Sequence, residues 1–172
     1  MRLEEHRVRL FGAHDADRHQ RRLLAAKMLK DADATRDDPV GRYVLYEAAA
    51  EVAAGSGGVH TVIQAARRLT DQYEVDGFAT RLRLLAMVTG PTSDMGSLRL
   101  SRAYHRLIDE ATRADAHDTA QQAVSDAEKF ARRYRDKDLT GEMRQARKQL
   151  GRIRRQHAQV TEAYRRLAAD PD

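Results

Sequence analysis

The tightest constraint on this chain is its punctuation. The stretch "TRDDPVGRYVLYEAAAEVAAGSGGVHTVIQAARRLTDQYEVDG", Thr35 to Gly77, spells out two helix starts and the turn between two helices. Asp38 is an N-cap residue, and Pro39 fits the first helical position, where no N–H is needed and the fixed φ is already helical. Val40, Tyr43, Val44, Glu47, Ala50 and Ala54 follow at helical spacing, with Ala49 and Ala53 widening the apolar stripe. The run Gly55 to Gly58 ends that helix. Beyond it Val59, Val62, Ile63, Ala66, Leu69 and Tyr73 step by three or four residues, again the period of a helix face. So short a turn predicts antiparallel neighbours.

The same grammar recurs. Asp76 and Gly77 open a short helix carrying Phe78, Leu82, Leu85 and Val88, and "TGPTSD" reads as a loop. From about Ser97 a further helix presents Leu100, Tyr104, Leu107, Ile108 and Ala111. The polar break "RADAHD" separates it from Ala120, Ala123, Val124, Ala127, Ala131 and Tyr134. Sliding the chain by 58 positions lays Tyr46 on Tyr104, Ala53 on Ala111, Thr61 on Thr119 and Ala65 on Ala123. Both apolar faces stay in phase through the break, the pattern of a duplicated hairpin. Upstream, "DADRHQRRLLAAKMLKDADAT" predicts a helix from Asp17 to Thr35 with Leu24, Met28 and Ala32 inward, preceded by a shorter one over Leu3 to Phe11.

Composition agrees with this reading. Hydrophobic residues are 41% of the chain but aromatics only 5%, so the interior must be built from Ala, Leu, Val and Ile. Alanine suits closely approaching helices. With three prolines and ten glycines, mostly at helix ends, the class is all-α. The expected layout is one helical domain over 1–172, with a first hairpin block at 17–88, a second hairpin at 93–135 and a long helix at 138–168.

Cysteine is absent, which excludes disulfides, thiolate chemistry and Cys-based metal sites. No window approaches the roughly 18 apolar residues of a membrane span, so no membrane partner is expected. No signal-peptide core precedes the first helix; the compartment is cytoplasmic as written, or extracytoplasmic if a signal peptide was removed.

The C-terminal segment has a different rhythm. Leu139, Met143, Ala146, Leu150, Ile153, His157, Val160, Tyr164 and Leu167 alternate steps of four and three, the spacing of a coiled-coil seam. A helix of about 30 residues is about 45 Å long, too long for another hairpin arm. Its distal seam therefore needs a cover from this chain, a second copy or another protein. Beside the seam, Arg144, Lys148, Arg152 and Arg155 form one stripe, and from Arg132 to Arg155 there are ten Arg or Lys against three Asp or Glu. Such a stripe attracts phosphates or carboxylates, against the bland reading of a solvated helix face.

Other candidates resolve into structure. A phosphate loop needs a preceding strand and a Gly-Lys-Ser/Thr ending, whereas "GSGG" follows a helix and continues "VHT". His14 and His19 do not share a helix face, and His6, His60, His105 and His117 lack metal-ligand spacing. His157, on the seam, reads as a part-buried imidazole or a pH-sensitive contact. Asp37/Asp38 and Asp109/Glu110 do not form a converging acid–base pair, and no nucleophile motif is present.

The segments "DDPVGRYVLYEAA", "AARRLTDQYEVD" and "LIDEATRADAHDTAQQAVSDAEKFAR", with the long charged helix ending "LAADPD", resemble an uncharacterised, tetratricopeptide-like helical module of large planctomycete proteins. The resemblance covers about Leu23 to Asp172. It implies interaction or scaffolding within a larger protein, supplies no catalytic residues, and weakens the cytoplasmic reading. The expected function is thus a non-enzymatic protein–protein interaction module without cofactor or metal. Its partner, another protein or a second copy, would bind through Leu150, Ile153, His157, Val160, Tyr164 and Leu167 on the seam and through the basic stripe. The alternative is nucleic-acid or acidic-partner binding through 132–155.

Overall fold

The computed structural model describes the backbone of residues 2–90 and 92–169, and side-chain burial for residues 16–90, 92–166, 168 and 169. These residues form seven helices: α1 Arg2–Ala34, α2 Pro39–Gly55, α3 Val59–Gln72, α4 Gly77–Ala86, α5 Asp94–Arg113, α6 His117–Tyr134 and α7 Lys137–Ala169. No strand occurs among the described residues, and the fold is all-α. By its contacts the chain divides into two compact units, Met1–Ala103 and Tyr104–Asp172, with the division inside α5.

In the first unit α1 packs along α2, α2 on α3, and α3 on α4. The helix starts behave as their sequence demands. Asp38 accepts from the Gly41 N–H at 2.8 Å, and Asp76 accepts from the Phe78 and Ala79 N–H groups at 2.9 Å each. Side-chain acceptors thereby satisfy N–H groups that have no intrahelical partner. The core is largely alanine: Ala25, Ala32, Ala49, Ala50, Ala53, Ala54, Ala65 and Ala66 are buried together with Tyr46, Val59, Val62 and Leu69. Helices faced with alanine approach closely, so the few bulky residues fill what remains.

Three expectations shift here. The inward face of α1 is Ala25, Leu29 and Ala32, one step from the expected one; Leu24 is 47% exposed and Met28 only half-buried. Leu23, Leu24, Ala25 and Ala26 are consecutive, so apolarity alone does not fix the phase, and the small residues take the face toward α2. Likewise Val40 and Val44, expected in the stripe of α2, are 72% and 57% exposed, and Tyr46 is buried instead. The separate N-terminal helix over Leu3 to Phe11 is continuous with the next, since no proline interrupts α1.

A charged tie crosses the three helices. Tyr46 Oη donates to Asp33 Oδ1 at 2.7 Å, and Arg68 donates to both Asp33 oxygens, Nε at 2.8 Å and Nη2 at 3.2 Å. Asp33 belongs to α1, Tyr46 to α2 and Arg68 to α3. The Arg68 hydrogen bonds hold the Asp33 carboxyl below the usual carboxylate range, and burial raises the Tyr46 phenol.

The α2–α3 turn is closed by paired backbone bonds. Gly58 N–H donates to Ala53 O at 2.7 Å and Gly57 N–H to Ala54 O at 3.2 Å, with Gly57 at φ 72°. This is a Schellman cap, with the left-handed residue at the position that favours glycine. Gly90 packs against this turn, donating to Ala54 O at 3.2 Å; a side chain there would collide with the Gly55 carbonyl.

In the second unit the α5–α6 turn has the same bonds. Ala116 N–H donates to Ala111 O at 2.9 Å and Asp115 N–H to Thr112 O at 3.3 Å, with Asp115 at φ 56°. Each of these residues lies 58 positions after its counterpart in the α2–α3 turn. The α6–α7 turn repeats the cap, with Asp136 N–H donating to Ala131 O at 2.9 Å and Arg135 at φ 55°. Tyr104, Leu107, Ile108 and Ala111 of α5 are buried, as are Ala120, Ala123, Val124, Ala127, Phe130 and Ala131 of α6. Burial pushes the Tyr104 phenol strongly upward.

Candidate partner-binding surface on the long helix

Asp136 starts α7 by accepting from the Leu139 N–H at 2.9 Å, so the turn that closes α6 also caps its neighbour. The short connection lays α7 antiparallel along α6. At 33 residues against 18, α7 is about 50 Å long and α6 about 27 Å. The mismatch leaves much of α7 without a neighbour from α6.

Burial along the seam records this. Leu139, Met143 and Leu150 are buried, and Ala146 and Ile153 half-buried. His157 is exposed, with its ring edge-on to His117, the first residue of α6, at 5.4 Å between centroids. Past this point the same face is bare: Val160 is 54% and Tyr164 70% exposed. Leu167 lies outside the residues whose side chains are described. After Leu150 no described residue of α7 is buried.

Two clefts flank the middle of α7 and share Leu150 between them. The larger, about 540 Å³, opens toward α5 beside Ile108, Thr112, Ala146 and Ile153. The other, about 460 Å³, opens toward α6 beside Gln121, Val124, Gly151, Arg154 and Arg155. Gly151 contributes no side chain to it, and Arg155 Nη1 reaches over the glycine.

The basic stripe is presented to solvent. Arg144, Lys148, Arg152 and Arg155 are all exposed, and none has an ion-pair partner among the described residues. Arg147 and Arg154, on the flank facing α6, are engaged: Arg147 with Glu128 at 2.8 Å, Arg154 with Gln121 at 3.1 Å and Asp118 at 3.6 Å. The two flanks therefore differ in role, one fastening α7 to its neighbour and one left open.

Sequence reasoning missed the histidine contacts. His105 Nε2 lies 2.8 Å from Glu142 Oε2, linking α5 to α7, and His117 is largely buried with neither ring nitrogen hydrogen-bonded. Asp115 Oδ1 lies 3.7 Å from His117 Nε2. Partners 37 and 40 positions apart leave no local spacing signal. No group of three or more His, Asp or Glu is placed to hold a metal ion among the described residues, and no described helix is long and apolar enough to cross a membrane. Compared with protein-family models, curated proteins and solved structures, the chain gives no match.

Proposed function

We propose that this chain is a non-enzymatic helical module for protein–protein interaction or scaffolding, working within a larger protein. In this reading α2–α3 and α5–α6 are duplicated tetratricopeptide-like hairpins of the kind its planctomycete resemblance implies, and α7 is the attachment helix. The matching turn bonds at an offset of 58 residues support the duplication. The observation that carries the function is the apolar face of α7 that continues in register past the start of α6, ending in exposed Val160 and Tyr164. Covering two such side chains contributes about 1.5–3 kcal/mol each, enough to favour docking.

Photo-crosslinking tests this reading. A crosslinkable residue at Tyr164 should capture a protein in cells, while one at the exposed Lys129 of α6 should not. Equal yields from the two positions, or a turnover traced to this chain, would overturn it. A second reading, nucleic-acid binding through 132–155, is favoured by the unpaired stripe. Labelled RNA and duplex DNA should then bind at about 50 mM salt and weaken steeply by about 200 mM as counterions are released. No binding at the lower salt removes it.

A further inference from the structure

We infer that the uncovered face of α7 docks an acidic amphipathic helix from another protein, an inference that rests on the interaction reading above. Three observations converge on that occupant. The seam keeps steps of three and four residues through Ile153, His157, Val160 and Tyr164, in line with the buried Met143 and Leu150, so the complement of its bare end is another helix with the same period. Because α6 begins at His117, which meets His157, the incoming helix finds the described seam positions beyond it, Val160 and Tyr164, exposed.

Charge then selects the partner. From Arg144 to Ala169 there are eight basic residues and one acidic residue, Glu162, a net +7 against +5 for the whole chain. The remainder of the protein is thus net −2, and the excess positive charge belongs to this one segment. A second copy meeting the same patch about a two-fold axis would set this charge against itself. Acidic flanks on the partner instead meet Arg144, Lys148, Arg152 and Arg155, which have no ion-pair partner among the described residues. The cleft of about 460 Å³ under Arg155 has room for one acidic side chain beside the apolar Val124 and Ala158. Nucleic acid is the poorer fit, because its phosphates satisfy the arginines but leave Val160 and Tyr164 exposed on the seam.

The test uses the full chain and a designed 21-residue peptide with leucine at seam positions and glutamate on both flanks. Its controls are a scrambled peptide of the same composition, a single-stranded RNA and sedimentation of the protein alone. The designed peptide should bind a monomeric protein and the scrambled one should bind at least tenfold more weakly. V160S and Y164S, at exposed positions and with unchanged helicity, should each weaken the designed peptide about tenfold. Arg152→Gln with Arg155→Gln should weaken it severalfold and flatten its salt dependence. Equal binding of both peptides, indifference to V160S and Y164S, or self-association through the seam overturns the acidic helix as occupant. RNA binding through the arginines, with no binding of the designed peptide, also overturns the occupant while leaving α7 as an attachment surface. If no ligand binds and no self-association occurs, both the occupant and the interaction reading fail.

Discussion

Asp33 shows how much one surface carboxylate can organise in a core made of alanine. Its two oxygens accept from Arg68, and one also accepts from Tyr46, so α1, α2 and α3 meet at a single side chain. Its folded pKa lies below the unfolded value, chiefly because of the Arg68 hydrogen bond. The stabilisation is therefore fully present above an unfolded pKa of about 3.9 and is lost as pH falls through the lower folded value. Asp33 is partly exposed, which limits the effect through solvent screening. We expect Asp33→Asn to cost about 1 kcal/mol at neutral pH and to reduce the drop in melting temperature between pH 5 and pH 2. Thermal melts of both proteins across that range check it; parallel pH profiles would show that Asp33 does not contribute to acid sensitivity.

At the scale of elements, the helices are set more by their ends than by their middles. Asp38, Asp76 and Asp136 each cap a helix with a carboxylate; the first two were legible by position, whereas Asp136 sits in a charged run that hides it. The caps at the other ends differ in residue but not in geometry: Gly57, Asp115 and Arg135 all occupy the left-handed position. Glycine adopts that conformation without a Cβ penalty, Asp tolerates it, and Arg is the least suited. Arg135→Gly should therefore stabilise the second unit by about 1 kcal/mol, read as a higher denaturant midpoint at unchanged slope. A lower midpoint would mean that the Arg135 side chain contributes more than its backbone costs. The sequence placed the breaks at "GSGG" and "RADAHD", but only the first advertised its cap, because "RADAHD" and "RDKD" make the same bonds without glycine.

Across the whole molecule, stability and net charge reside in different places. Buried side chains run through α1 to α6 and into α7 as far as Leu150; the excess positive charge runs from Arg144 outward. A chain ending at Ala158 should consequently melt within about 2 °C of the full chain, losing helical signal only in proportion to the residues removed. Met143→Ala, by contrast, removes a fully buried side chain and should cost about 2–5 kcal/mol. Calorimetry on the two variants makes the comparison; a large loss of stability on truncation would place the end of α7 within the folding core.

The sequence by itself determined that this protein is all-α, where its main turns fall, and that its last helix outruns the helix before it. These properties follow from local chemistry: caps, left-handed residues, and a period of three or four. Tertiary structure alone decided which of two adjacent apolar stripes faces inward. Leu24 and Ala25 are neighbours on α1, and only the approach of alanine-faced α2 turns Ala25 in and Leu24 out. It also decided that Val40 and Val44 stay in solvent while Tyr46 is buried, because burial depends on where the neighbouring helix lies. For α7 the seam pattern continues through Tyr164, but burial stops at Leu150, since periodicity records what a face can pack against and only the fold supplies the neighbour.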